Sequence, residues 1–178
     1  DLFELPRPPR LEGEHQHDNA RLALAALRVL GASPRALDAA LNATHPGRLE
    51  RFRVRGRDVL LDGAHNAHAA HALAHAVGHA VGHADTLLFG AFGRKAVTDM
   101  LAHLRGIARA AVYTTPGELA ADPHALARDW KGAAAPDPDE ALRLALDLTP
   151  EGGLLLVTGS LHLVGRLRPR LLAPREEE

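Results

Sequence analysis

The chain has 178 residues and no cysteine, and 21 basic residues balance 22 acidic ones to give a net charge of -1. This length allows one domain with an appendage, and the lack of cysteine excludes disulfides and cysteine-ligated metals. The balanced charge argues against a nucleic-acid partner. The apolar runs are too short to cross a membrane and no signal-peptide pattern opens the chain, so we expect a cytoplasmic protein.

The N-terminal region predicts an extended segment followed by two helices. Residues 1–14 contain three prolines and no helical period. Apolar residues at helical spacing follow, with Gln16 or Asp18 as the expected cap. Ser33-Pro34 then predicts a second, short helix, with serine as its cap and proline at its first position. Because the sequence does not begin with methionine, we expect it to start inside a longer protein.

From residue 49 onward, short apolar runs alternate with stretches of helical period. The predicted strands are 50–54, 59–61, 86–89, 110–114 and 154–157. The predicted helices are 66–81, 97–104, 123–130, 138–148 and 161–172. This alternation predicts an α/β fold, a three-layer sandwich with a mainly parallel, Rossmann-like sheet. A turn at Gly56-Arg57 predicts a hairpin that adds one antiparallel edge strand.

Three glycine-containing turns follow predicted strands. They are Asp62-Gly63-Ala64-His65-Asn66, Gly90-Ala91-Phe92-Gly93-Arg94-Lys95 and Thr158-Gly159-Ser160. Ligands bind beyond the carboxyl ends of parallel strands, and the helix that begins there favours negative charge. Ser160 either caps the last helix or holds a substrate carboxylate there. We therefore expect the three turns to meet at one crevice.

Six of the 12 histidines lie between residues 65 and 83, and four of them repeat every fourth residue, at 71, 75, 79 and 83. Histidines at this spacing on one helical face can share a metal ion. No carboxylate or cysteine accompanies them, which favours a solvated helix face. We therefore predict no metal site in this chain.

Several nucleotide motifs are absent from the sequence. It contains no Gly-x-x-x-x-Gly-Lys-Ser/Thr phosphate loop, no Gly-x-Gly-x-x-Gly turn and no serine nucleophile elbow. The chain alone is therefore not expected to cradle a triphosphate.

Four motifs occur together in the order found in one enzyme family. They are His15-Gln16-His17-Asp18-Asn19, Pro46-Gly47-Arg48-Leu49-Glu50, Leu61-Asp62-Gly63-Ala64-His65-Asn66 and Val157-Thr158-Gly159-Ser160-Leu161. Over residues 11–167 the chain resembles folylpolyglutamate and dihydrofolate synthases of the Mur ligase superfamily. The resemblance implies that residues 1–44 end a central ATPase domain and its linker. Residues 45–172 form the C-terminal Rossmann-like domain, and 173–178 form a charged tail.

The resemblance also implies an activity and roles for individual residues. Such enzymes join glutamate to folate or dihydropteroate, splitting ATP through an acyl phosphate. Asn19 is then expected to contact adenine, Arg48 the phosphates and Asp62 the ribose or neighbouring groups. His65 is the expected catalytic residue and, with Asp62 and Ser160, binds glutamate. ATP and Mg²⁺ are the implied cofactors, with the metal ligands in an N-terminal ATPase domain of the same enzyme.

The sequence departs from the family pattern at two places. Ala67 stands where the family usually has proline, and Gly93-Arg94-Lys95-Ala96 replaces its usual Asp-Lys-Asp neighbourhood.

Two other classes of protein remain as alternatives to a folate-branch ligase. One alternative is the C-terminal domain of a cell-wall Mur ligase. The other is a nucleotide-binding α/β module without catalysis. The sequence upstream of this chain would separate the three.

Overall fold

The computed structural model describes residues 1–11 and 13–172, without the side chains of Glu14, His15, Arg94 and Lys95. The predicted tail at 173–178 lies outside the described residues. Two N-terminal helices, α1 (Glu14–Val29) and α2 (Pro34–Leu41), precede the sheet. Ser33 caps α2, and Pro34 is its first residue, as predicted.

Helix α1 begins earlier than the sequence predicted. Its N-cap is Gly13 at φ 106°, a backbone conformation that glycine tolerates and other residues rarely adopt. The prediction of Gln16 or Asp18 as the cap was therefore wrong. Gln16 is the third residue of α1 and is buried. Asp18 makes an ion pair at 2.7 Å with Arg21, which lies one helical turn after it.

Six strands form one sheet in the order β1-β2-β6-β3-β4-β5. They are β1 (Glu50–Val54), β2 (Arg57–Leu61), β3 (Ala84–Phe89), β4 (Ala108–Tyr113), β5 (Ala133–Ala134) and β6 (Leu154–Thr158). Strands β1 and β2 pair antiparallel, and the other neighbours pair parallel. The predicted class, a mainly parallel sheet with one antiparallel edge strand, is confirmed.

The hairpin turn lies one residue earlier than predicted. Val54 pairs with Arg57, so the two turn residues are Arg55 and Gly56, at φ 50° and 72°. A two-residue hairpin turn with positive φ at both positions matches the twist of its strands. Arg57 therefore belongs to β2, where its Nε donates to the carbonyl of Thr149 at 2.6 Å.

Five further α-helices in the described part of the chain cover the two faces of the sheet. They are α3 (Ala67–Val81), α4 (Arg94–Leu104), α5 (Pro123–Trp130), α6 (Pro138–Leu148) and α7 (Leu161–Leu172). One core, which includes Leu73 and Leu101, joins α3, α4 and α5 to one face, and the other, which includes Leu142 and Leu163, joins α6 and α7 to the opposite face. This is the predicted three-layer sandwich. None of the described helices is both long and apolar enough to span a membrane.

Candidate functional site

A crevice of about 430 Å³ lies where β2 ends and α3 begins. Its other walls come from α1 and from the loop that precedes β1. Four of the five residues singled out in the sequence line it, namely Asn19, Arg48, Asp62 and His65. The fold therefore brings together side chains from three separate sequence motifs.

Asp62 follows the last residue of β2, and its side chain is only 5% exposed. One carboxylate oxygen accepts the backbone N–H of Ala64 at 2.9 Å, and the other accepts that of Leu49 at 3.0 Å. A buried carboxylate needs such partners, because an unpaired buried charge is costly. Asp62 thus fixes its own turn and joins it to the loop that carries Arg48.

Arg48 lies between two residues with left-handed backbone conformations. Gly47 has φ 71° and Leu49 has φ 46°. A non-glycine residue in this region costs on the order of 1 kcal/mol, so surrounding contacts must hold it there. Among the residues that the structure describes, the half-buried side chain of Arg48 has no hydrogen-bond or ion-pair partner. Its guanidinium is therefore available to an anion in the crevice.

His65 sits on the exposed part of the turn before α3. Its Nδ1 lies 3.0 Å from the carbonyl oxygen of Gly63, which can only accept, so Nδ1 carries the proton. In the neutral ring Nε2 is then an acceptor. Asn66 caps α3, because its side-chain oxygen accepts the N–H of Ala69 at 2.9 Å. Asn66 also lines the crevice, so the positive N-terminal end of α3 lies beside it.

The loop before β1 and the turn after β2 are packed closely. The N–H of Gly63 donates to the carbonyl of Gly47 at 2.8 Å. A Cβ at Gly63 would overlap Cδ2 of Leu161, and one at Gly47 would overlap Cγ1 of Val164. Gly47 also has a left-handed φ, so glycine is required there, and both contacts show that α7 supports the crevice from behind.

Asn19 is exposed on α1, and its Nδ2 donates to Oε1 of the buried Gln16 at 3.1 Å. It lies in the second turn of the helix, because α1 begins at Glu14. The side-chain oxygen of Asn19 is then free of that bond and can accept from a ligand.

The structure does not bring Ser160 to this crevice. Ser160 is 3% exposed, and its hydroxyl accepts the N–H of Leu163 at 3.1 Å, as a cap of α7 does. The Thr158-Gly159-Ser160 turn packs against Gly90, whose N–H donates to Thr158 at 3.3 Å. Of the three turns, the crevice is lined by the one after β2 and by no described residue of the other two, although β6 lies between β2 and β3 in the sheet. The side chain of Lys95 lies outside the described residues.

A larger groove of about 620 Å³ runs along α3, beside the crevice. His68, His71, His75 and His79 line it, and Leu60, Val77 and Leu154 contribute apolar surface. His83 does not continue this row, because α3 ends at Val81. No three His, Asp or Glu side chains among the described residues are placed to hold a metal ion. We regard the smaller crevice as the site, since it brings Arg48, Asp62 and the start of α3 together.

Residues 47–161 match the family model described as Mur ligase, glutamate ligase domain. The chain belongs to this family. A dihydrofolate synthase/folylpolyglutamate synthase of Bacillus subtilis is 30% identical to this Mur ligase domain, and the match covers 90% of the chain. The chain spans 40% of that relative's length.

Solved structures of folylpolyglutamate synthases resemble this Mur ligase chain along nearly its whole length. The Mycobacterium tuberculosis enzyme complexed with ADP matches at 30% identity and a TM-score of 0.80, covering 94% of this chain and 42% of the other. The Thermotoga maritima enzyme matches at 30% identity and a TM-score of 0.68, covering 96% and 41%.

Sequence reasoning missed one pair of residues beside the site. Glu50 of β1 and Arg168 of α7 form a bidentate ion pair, in which Nε and Nη2 of Arg168 lie 2.8 to 3.1 Å from the two carboxylate oxygens of Glu50. The Arg168 guanidinium, aided by the N–H of Gly47, holds the pKa of Glu50 below its usual value against the opposing effect of burial. Glu50 belongs to a quoted motif, but nothing in the sequence pairs it with a residue 118 positions away.

Proposed function

We propose that the chain is the C-terminal part of an ATP-dependent, ADP-forming ligase that adds glutamate to folate or dihydropteroate. The observation that carries the proposal is the meeting of Asn19, Arg48, Asp62 and His65 at one crevice of a Mur ligase glutamate ligase domain. Folate-branch relatives at 30% identity support this branch over the cell-wall branch.

In this proposal the crevice holds the nucleotide. Arg48 binds phosphate oxygens, for which an unpaired guanidinium is well suited. Asn19 contacts the adenine through its side-chain oxygen. Asp62 accepts ribose hydroxyls in addition to the N–H groups of Leu49 and Ala64.

His65 and Ser160 are the proposed glutamate contacts, with Asp62 close to the amine. His65 acts as the catalytic residue, through an Nε2 that can accept a proton from the ammonium group of glutamate and so free the amine to attack. Ser160 keeps its own hydroxyl proton to donate, since its oxygen accepts in the cap of α7. The N-terminus of α7 further favours the negative charge of a carboxylate.

We infer that residues 1–44 end a central ATPase domain and that 45–172 form the C-terminal domain. Exposed apolar side chains on α1 and at its C-cap, Leu30, support this division. Leu22, Val29 and Leu30 are 63%, 73% and 80% exposed, which is typical of a surface that another part of the protein covers. The remaining part would also supply the Mg²⁺ ligands, because the described residues offer no such group.

Kinetics on the longer polypeptide that contains this chain would test the proposal. We expect ADP to form only when ATP, glutamate and a folate or dihydropteroate acceptor are all present. The assay is run at near-neutral pH, as in the cytoplasm that we propose for the protein. The 178-residue chain alone should release no phosphate, since it lacks a phosphate loop. ADP formation with a nucleotide-linked muropeptide acceptor instead of folate would contradict the proposal.

A further inference from the structure

Two carboxylates hold the backbone on either side of Arg48. The N–H of Gly47 donates to Oε2 of Glu50 at 2.8 Å, and the N–H of Leu49 donates to Oδ2 of Asp62 at 3.0 Å. Both donors belong to residues with left-handed φ values. Side chains therefore hold this turn on both sides of Arg48, including the strained backbone of Leu49.

Glu50 is itself held from the opposite side by α7. Nε of Arg168 lies 2.9 Å from Oε2, and Nη2 lies 2.8 Å from Oε1. The two side chains are 23% and 30% exposed, so water screens this pair less than it screens a surface pair. A two-pronged arginine–carboxylate pair fixes direction as well as distance. The carboxylate that accepts from Gly47 is thus fixed relative to α7.

We propose that Glu50 and Arg168 are positioning residues that set the direction in which Arg48 presents its guanidinium to the nucleotide phosphates. This inference rests on the proposed function, in which Arg48 binds those phosphates. A different role would be to fasten α7 to the sheet, as any ion pair between the two could do. The contact from Glu50 to Gly47 distinguishes the two roles, because only positioning requires it.

The helix offers a matched control. Arg170 of α7 also makes an ion pair, with Nε 2.9 Å from Oδ1 of Asp139, but this pair does not touch the loop before β1. Arg168→Met and Arg170→Met each remove one guanidinium from the same helix and keep an apolar stem. The binding of ADP to the 178-residue chain is then titrated by NMR, which detects even millimolar affinity.

We expect Arg168→Met to weaken ADP binding by roughly threefold to tenfold. Hydrogen exchange at the Gly47 amide should become about tenfold faster, because its acceptor is no longer fixed. Arg170→Met should leave both readouts unchanged. The melting temperature of each variant is measured alongside its ADP affinity. A variant that loses affinity but keeps its melting temperature has lost positioning rather than stability.

A charge reversal gives the sharper comparison. Glu50→Arg combined with Arg168→Glu rebuilds an ion pair between α7 and β1 but leaves Gly47 without a carboxylate. We expect this double variant to recover more of the melting temperature than of the ADP affinity. Glu50→Gln, which keeps an acceptor oxygen, should retain more affinity than Glu50→Ala.

Three results would overturn the inference. They are unchanged ADP affinity in Arg168→Met, unchanged exchange at Gly47 in that variant, and full recovery of affinity in the charge-reversed protein. Failure of the wild-type chain to bind ADP would also overturn the assignment of the nucleotide to this crevice, on which the positioning role rests. Normal wild-type binding together with an unaffected Arg168→Met would overturn the positioning role alone.

Discussion

The carboxylate of Asp62 accepts the backbone N–H of Leu49, 13 residues earlier in the chain, at 3.0 Å. This bond joins the end of β2 to the loop that carries Arg48. A residue singled out in the sequence as a nucleotide contact therefore also shapes the site. Its replacement should affect both stability and ligand binding.

Asp62→Ala should lower the free energy of unfolding, because it leaves the N–H groups of Leu49 and Ala64 without their acceptor. A buried donor that loses its partner costs about 1–3 kcal/mol. Asp58→Ala is the matched control in β2, which leads to Asp62, since among the described residues Asp58 has an exposed ion pair with Arg53 as its side-chain contact. Urea denaturation of both variants measures the difference, and equal destabilisation would argue against the structural role of Asp62.

Arg48→Ala should impair ligand binding without destabilising the fold, because this side chain has no partner among the described residues. Loss of a charged hydrogen bond of about 1.5–3 kcal/mol corresponds to roughly tenfold to over a hundredfold in catalytic efficiency. Steady-state kinetics on the longer polypeptide measures the catalytic efficiency of Arg48→Ala. Asp62→Ala is measured in the same way and should also lose efficiency. His75→Ala, in the exposed row along α3, is the control and should remain active. Wild-type kinetics for Arg48→Ala would remove this residue from the site.

Gly47→Ala should be more destabilising than Gly31→Ala. The two glycines have nearly equal φ values, 71° and 72°, so the backbone strain of about 1 kcal/mol is shared. Only at Gly47 would the added methyl overlap a neighbour, Val164, which adds about 1–3 kcal/mol. Thermal unfolding of both variants gives the comparison. Equal melting temperatures would show that α7 does not pack on this loop as described.

The ion pair between Glu50 and Arg168 should make the free energy of unfolding depend on pH. Because Arg168 lowers the pKa of Glu50 in the folded chain, its contribution is complete above the ordinary value of 4.5 and is lost as the pH falls below it. The stability difference between wild type and Glu50→Gln should therefore narrow between about pH 6 and pH 3. Urea denaturation across this range measures that difference. A constant difference would show that the two side chains are not paired in solution.

The histidines along α3 should hold no stoichiometric transition metal. Among the described residues, no three His, Asp or Glu side chains are placed to hold a metal ion. Metal analysis of chelator-washed protein is the measurement. A content of about one tightly held ion per chain would contradict this expectation.

Much of the fold could be predicted because its sequence signals are local. The buried strands β3 and β6 appear as apolar runs, and Ser33-Pro34 marks the start of α2. Strand β5 was missed because two residues carry no period, and its pairing with β4 depends on distant contacts. The role of Gly13 as a helix start was missed because a glycine cap has no side chain to signal it.

The candidate site was predictable where the family motifs carry it. Asn19, Arg48, Asp62 and His65 lie together, as expected of residues at one crevice. Ser160 does not line it, and its buried hydroxyl caps α7. Arg168 could not have been found, because the ion pair spans 118 positions in a chain with 21 basic residues.

The most direct test of the account is an NMR titration of the isotope-labelled 178-residue chain with ADP. We predict that the amides of Asn19, Arg48 and residues 62–66 shift together with one dissociation constant, and that Arg48→Ala weakens it. The groove lined by His75 and His79 should not respond. Shifts confined to that groove, or no shifts at millimolar ADP, would contradict the assignment of the nucleotide to this crevice.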